Sequence, residues 1–207
     1  MDKSVLKNLS YGVYIISAKD ENNLVGCVVN SIMQINTNTI AISINKENYT
    51  TKVIEETKKF AINILPEDID IELIKTFGFK KSNEVNKYEN INYELINDLP
   101  VIKDSCGTIF CEYEKFVETS THLVILAKIT NAFKYSDKTP LTYKYYQENL
   151  KGGTSKYAPT YQEGEKTKKN VFVCKICGYR YETDLDELPD DFKCPMCGVG
   201  KEYFEKL

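Results

Sequence analysis

The sequence predicts a mainly β domain over residues 1–150, a linker over 151–169 and a small metal-binding domain over 170–207. Three observations predict this. Runs of β-branched and aromatic residues recur between positions 11 and 135 with few helical stretches among them. The strands do not alternate regularly with helices, so a parallel βαβ sheet is excluded and a barrel or sandwich is expected. Four of the seven cysteines gather near the C-terminal end as two Cys-x-x-Cys pairs.

The first strands are YGVYIISA (11–18), LVGCVVN (24–30), TIAISIN (39–45) and FAINIL (60–65), each bounded by polar punctuation. A helix is expected to open near Thr50 or Thr51, whose hydroxyls can cap it, with Val53, Ile54 and Thr57 on one side. A second is expected from Pro66, a residue tolerated in a first helical turn, through EDIDIELIKTF to a stop at Gly78. GTIFCEYEKFVE (107–118) and THLVILAKITNAFKY (121–135) resume the strand pattern. The unbroken LVILA reads as a strand buried on both faces. After Leu150 the texture changes to KGGTSKYAPTYQEGEKTKKN, whose glycines, proline and charges mark the linker. About 15 flexible residues of this kind span roughly 20–25 Å root-mean-square.

In the tail, Cys174 and Cys177 are two residues apart, as are Cys194 and Cys197, and each pair precedes a glycine, Gly178 or Gly198. The spacing lets both thiolates of a tight turn reach one ion, and glycine supplies the backbone freedom that the turn needs. Four thiolates select zinc or iron, and the ligand count alone does not choose between them. Paired cysteines in a reducing compartment indicate metal rather than disulfides. Cys27, Cys106 and Cys111 lie among strand residues and read as small buried apolar groups.

Net charge is −3, and all of it lies in residues 170–207, which carry five basic and eight acidic side chains. A nucleic-acid surface is therefore not indicated. Six of those acids fall between Glu182 and Asp191, which reads either as a solvated loop or as a docking face for a basic partner. No stretch reaches the roughly 18 apolar residues of a membrane span, and the N-terminus has no signal-like run. A cytoplasmic protein without membrane contact is expected.

Read from the residues alone, Asn30, Ser31 and Gln34 end one strand with amide and hydroxyl groups. Asn45, Lys46 and Thr50 or Thr51 end the next, at a helix N-terminus. Lysine, hydroxyls and helix start together could cradle a phosphate, although a capped helix after a strand is commonplace. The pattern NSIMQ (30–34) followed by ISINKENYT (42–50) resembles the flavin reductase-like family of FMN-binding split β-barrels, over most of residues 1–160 including KGGTSKYAPTY. That resemblance implies that Asn30, Ser31, Met33 and Gln34 border the flavin ring, and that Asn45, Lys46, Tyr49, Thr50 and Thr51 hold the ribityl chain and phosphate. Members often carry histidine where Thr51 stands. They are usually homodimers with each FMN near the subunit interface. His122, the only histidine, reads either as a strand-end residue satisfied by backbone or as a group beside the cofactor or nicotinamide. No Gly-x-Gly-x-x-Gly fingerprint occurs, so NAD(P)H would meet the flavin without a Rossmann domain of its own.

CKICGYRY and LPDDFKCPMCG resemble rubredoxin, where aromatic rings surround one iron held by four cysteines, and Tyr179, Tyr181, Phe192 and Phe204 are placed to supply those rings. The insert between the pairs is shorter than in most rubredoxins, which keeps a zinc ribbon as the alternative. The two halves together resemble the high-molecular-weight rubredoxins of anaerobes. This implies electron flow from NAD(P)H through FMN to iron, and on to a flavodiiron protein that reduces dioxygen or nitric oxide. A free-flavin reductase with a zinc-ribbon tail, and a shuttle reduced by a separate NADH-rubredoxin reductase, are the alternatives.

Overall fold

The computed structural model describes residues 3–150, 152–154, 158–160, 170–183, 185 and 187–206. They form two compact units, Met1–Tyr161 and Gln162–Leu207. The first unit contains β1 (Tyr14–Lys19), β2 (Leu24–Val29), β3 (Ile32–Asn36), β4 (Thr39–Asn45), α1 (Tyr49–Thr57), β5 (Lys59–Ile64), α2 (Ile71–Phe79), β6 (Tyr93–Ile96), β7 (Leu99–Ile102), β8 (Gly107–Glu118), β9 (His122–Lys134) and α3 (Tyr143–Glu148).

Seven strands form one antiparallel sheet in the order β2-β1-β5-β8-β9-β4-β3, and β6 pairs with β7 beside it. The two edge strands, β2 and β3, are consecutive in the chain and separated only by Asn30 and Ser31. Flat, seven strands would set those edges about 29 Å apart, whereas three Cα–Cα steps reach at most about 11 Å. The sheet must therefore curl until its edges meet at Asn30–Ser31, and the result is a split barrel. Register shifts at Phe110/Cys111 and Tyr113/Lys115 in β8 supply part of the bend.

Inside the barrel, Ile16, Ile42, Ile54, Phe60, Ile62 and Ile125 form the centre of the core. On the other side of β1, Ile15 packs with Leu73, Ile74 and Phe77 of α2. Thus β1 is buried on both faces, and its polar Ser17 must be satisfied internally. Asn63 does this as a hub: its amide nitrogen donates to Ile15 O (3.1 Å) and Ser17 Oγ (2.8 Å). Its oxygen accepts from Ile102 N (3.0 Å) and Thr108 Oγ1 (3.0 Å). Asn63→Ala should destabilise the barrel by about 3 kcal/mol, because several buried groups lose partners together. Urea unfolding checks it, and a midpoint equal to that of the parent protein would show the hub to be dispensable.

The helices start and end differently from the sequence expectation. α1 opens at Tyr49 after Asn48, not at Thr50 or Thr51, because the Thr51 hydroxyl turns back to Asn45 O (2.7 Å) and ties the strand end to the helix. α2 begins at Ile71 rather than Pro66: the Asp70 carboxylate accepts from Glu72 N (2.9 Å), a better cap than Pro66, which bridges to Pro140. The helix also continues through Gly78 to Phe79. β3, the β6–β7 pair and α3 lie outside the strands and helices expected from the sequence.

The linker expected over 151–169 lies mostly outside the described residues. Its described parts pack on the barrel: Tyr146 OH donates to Gly153 O (3.0 Å), Tyr143 OH meets Thr154 Oγ1 (2.5 Å), and Asn30 Nδ2 donates to Thr160 Oγ1 (3.0 Å).

The second unit is a three-stranded antiparallel sheet, with β10 (Asn170–Cys174) between β11 (Arg180–Thr183) and β12 (Phe204–Lys206). Phe192 joins Tyr181 (centroids 4.7 Å apart) to Phe204 (5.3 Å). Phe172 is buried as well, while Tyr179 acts through its backbone, its carbonyl accepting from Cys174 N (2.9 Å). Among the described residues no helix is long and apolar enough to cross a membrane.

Candidate functional site

Strand alternation decides what the β4–β9 surface offers. Ile40, Ile42 and Ile44 point inward with Leu123, Ile125 and Ala127, so Ala41, Ser43, Asn45, His122, Val124 and Leu126 share the outer face. One end of that face is polar. Asn45 lies opposite His122, and Ser43 N donates to Ser31 O (2.9 Å), which brings Asn30 and Ser31 alongside. Asn30, Ser43, Asn45, Asn48 and His122 line one cavity there, with Thr154 on its wall. His122 Nδ1 is bonded to Thr121 Oγ1 (2.8 Å), which fixes the ring.

A second cavity, of about 500 Å³, shares Cys27, Asn48, Phe79, Lys80 and Thr154 with the first and adds Tyr49, Thr50, Lys52, Lys81, Ser82 and Lys87. The start of α1 faces it through Asn48, Tyr49 and Thr50, so the first amides of the helix and the Thr50 hydroxyl, which also bonds the Cys27 thiol, meet the cavity. Tyr49 is steadied by donating to Asp20 Oδ2 (3.2 Å), and that carboxylate raises the phenol above its ordinary range. Lys87 is buried, with its ammonium donating to Gly26 O (2.8 Å) and Phe77 O (3.0 Å). Burial pulls it down to about 8, with nearby Cys27 opposing the change, and the same burial pushes the Cys27 thiol up to about 11.

The predicted residues thus divide. Asn30, Asn45, Tyr49, Thr50 and His122 line the two cavities, and Ser31 sits beside them. Thr51 is buried beneath the turn. Lys46 turns away to pair with Glu118 (2.8 Å). Met33 and Gln34 lie exposed on β3, and Gln34 donates to Asn36 O (3.2 Å). Sequence reasoning missed Ser43, Lys52, Phe79, Lys80 and Lys87. Strand alternation from Asn45 could have found Ser43. The others carry no local signal: Lys52 on α1, Phe79 and Lys80 at the end of α2 and Lys87 beyond it look like residues of any surface.

In the second unit one sulfur from each of Cys174, Cys177, Cys194 and Cys197 lies within 4.8 Å of all the others. Gly178 and Gly198 both have φ of +74°, with open space where a side chain would begin, so the backbone turn rather than crowding requires glycine. Each turn is closed by an amide bond back to its first cysteine, Gly178 N to Cys174 O and Gly198 N to Cys194 O (both 2.8 Å). The amides of Tyr179 and Val199 aim at the sulfurs of Cys177 and Cys197. Desolvation raises the Cys194 thiol, but the amides of Cys197 and Met196, together with the Cys177 and Cys197 side chains, bring it down to about 7. The amides favour thiolate, whereas the neighbouring cysteines push Cys177 and Cys197 up, and the four converging sulfurs fit a tetrahedral ion. Cys174 and Cys194 are buried, and Cys177 and Cys197 are exposed.

Residues 6–153 match the flavin reductase like domain and residues 172–205 the rubrerythrin, rubredoxin-like domain. The chain belongs to the flavin reductase-like family. Its rubredoxin-like tail has a precedent: the chain is 34% identical to a high molecular weight rubredoxin of Moorella thermoacetica, over the full length of both. It is also 28% identical to a ferric-chelate reductase (NAD(P)H) of Archaeoglobus fulgidus, over 80% of this chain and all of that one. Among solved structures, the NADH:FAD oxidoreductase of Streptomyces globisporus C-1027 shares the fold, with a TM-score of 0.61 at 15% identity over 67% of this chain and 84% of that one. This flavin reductase-like protein is an oxidoreductase, with flavin as the cofactor of its barrel and iron held by the four cysteines of its tail. The described residues fit both groups: a polar, lysine-bearing cavity pair for a phosphorylated ring system, and converging thiolates for iron.

Proposed function

We propose that the protein carries electrons from NAD(P)H through FMN in the barrel to iron in the tail, and on to a redox protein of flavodiiron type. The observation that carries this reading is one chain holding both a cavity suited to a flavin phosphate and a four-thiolate site. FMN accepts a hydride and releases electrons singly, and iron–thiolate accepts them singly, so together they convert a two-electron donor into one-electron output.

The residues divide the work of holding these groups. Asn30, Ser43, Asn45 and His122 offer amide, hydroxyl and imidazole groups along the outer face of β4 and β9, suited to the polar edge of a flavin ring. Thr50, the α1 amides and Lys87 offer hydroxyl, N–H and cation to its phosphate. Thr51 and Asp20 act behind them, by fixing the strand–helix turn and Tyr49. In the tail, exposed Cys177 and Cys197 present the side of the site from which electrons leave, between exposed Ile176 and Met196.

The rest of the β4–β9 face supports a homodimer. Val117 (59% exposed) lies opposite Val124, and Met33 (61% exposed) lies opposite Ala41, which pairs with Leu126. These make an apolar strip continuous with Asn45 and His122, suited to a second copy that would cover the flavin ring.

Anaerobic titration with NADH or NADPH tests the path. Flavin absorbance should fall and the iron–thiolate band should follow without any added enzyme. An iron band that stays oxidised beside fully reduced flavin would sink the intramolecular step, and a flavin untouched by both donors would sink direct donation. Sedimentation of the same sample reads the dimer, and a monomer that is fully active counts against the covered strip.

A further inference from the structure

The second cavity carries more positive charge than one flavin phosphate requires. Lys52, Lys80, Lys81 and Lys87 line it, against Glu47 as the one carboxylate among the described lining residues. Lys87 is buried at its inner wall. Lys81 pairs with Glu84 (3.0 Å). Lys52 and Lys80 are different: both are exposed, and neither pairs with a carboxylate among the described residues.

Phe79 precedes Lys80 at the end of α2. Its side chain is 53% exposed although it is large and apolar, and both residues line the two cavities where these adjoin. An exposed ring that shares a cavity with two lysines unpaired to any described carboxylate is poorly explained by folding, since it gains little from burial. An adenine can stack on such a ring, and a phosphate monoester beside the ribose can engage both lysines through charge-assisted hydrogen bonds. A flavin mononucleotide offers neither a second phosphate nor an adenine.

We propose that Phe79, Lys80 and Lys52 form a subsite for an adenosine 2′-phosphate, which makes NADPH the preferred donor over NADH. This rests on the reading of the barrel as a flavin site reduced by a nicotinamide nucleotide. The subsite lies in the same cavity as Lys87 and Thr50, the pair assigned above to the flavin's own phosphate. The acidic partner is thus the dinucleotide's monoester, which NADH lacks, and the selectivity comes from two lysines that need no Rossmann domain to hold them.

Calorimetric titration of the FMN-loaded, full-length protein with adenosine 2′,5′-bisphosphate and with 5′-AMP tests this without turnover. The bisphosphate should bind about tenfold more tightly at low salt, the factor expected from one or two exposed charge-assisted bonds. That preference should shrink as salt screens the exposed lysines. Lys80→Gln and Lys52→Gln should each cut the preference about threefold, and Phe79→Leu should weaken both nucleotides alike. Equal binding of the two nucleotides by the parent protein overturns the subsite. So does release of free, fluorescent FMN when the bisphosphate is added, because that assigns the lysines to the flavin phosphate. The parent reading fails separately: a protein that keeps the bisphosphate preference while neither donor reduces its flavin retains the subsite and loses the redox role.

Discussion

Cys194→Ser is expected to abolish iron binding and to unfold the C-terminal unit, while the barrel keeps its fold and its flavin. The reason is the size of that unit's core. Among its described residues only Phe172, Cys174, Leu188 and Cys194 are buried, so two of the four are themselves metal ligands. A chain of about 40 residues seldom buries enough apolar surface to offset the entropy of ordering, and metal binding then becomes part of the folding free energy. Structural four-ligand sites contribute on the order of 10 kcal/mol, far more than the Tyr181–Phe192–Phe204 ring contacts can supply. Serine is a poor replacement, because its hydroxyl stays protonated and its oxygen is harder and shorter-reaching than thiolate. The iron–thiolate absorbance should vanish, and limited proteolysis should degrade the tail to a stable barrel fragment. A protease-resistant tail without metal would show that the aromatic cluster folds unaided. The same substitution at Cys111, buried in the barrel core, should leave the iron band intact.

The metal site was legible in the sequence because a Cys-x-x-Cys turn is a local object: two ligands, a glycine with positive φ and the closing amide bonds all fall within five residues. The strands were legible for a similar reason, since β1, β4 and β5 bury residues on both faces and read as apolar runs. β3 was not, because four of its five residues are exposed and its sequence mixes Gln34 and Asn36 with Met33 and Ile35. Closure of the sheet follows from strand order alone, since nothing in NSIMQ announces that β2 and β3 are opposite edges. The cavity divided in the same way. Asn30, Asn45 and Thr50 sit at strand and helix ends, where neighbours in sequence are neighbours in space. Lys46 sits among them too, yet its long side chain reaches Glu118 instead. Lys87 lies in KKSNEVNKYEN, a stretch as polar as any surface loop, and only the three-dimensional path over Gly26 and Phe77 buries it.

That burial makes Lys87→Met the most informative change in the barrel. Methionine matches the length of the stem and removes the charge. Gly26 O keeps the Ser82 hydroxyl (3.1 Å), and Phe77 O loses its ammonium partner at a cost of about 1–3 kcal/mol. FMN affinity should fall about 10–100-fold, the effect of losing a charge-assisted contact to phosphate. Stability should respond to pH as well. An unfolded lysine titrates near 10.5, and Lys87 in the folded barrel titrates at about 8 because burial disfavours its charged form. Between those values the unfolded chain holds more protons than the folded one, so stability of the flavin-free barrel rises as pH rises from 8 to 10.5. The gain is about 3 kcal/mol over that window. It is fully present above 10.5 and lost as pH falls through 8. Lys87→Met removes this rise, so the difference between parent and variant unfolding free energies should slope across the window and flatten below it. Bound FMN should flatten the parent curve too, because a phosphate beside the ammonium offsets the cost of keeping it charged. Parallel curves for parent and variant without flavin would show that Lys87 is solvated in solution. Unchanged FMN affinity would place the phosphate elsewhere in the cavity.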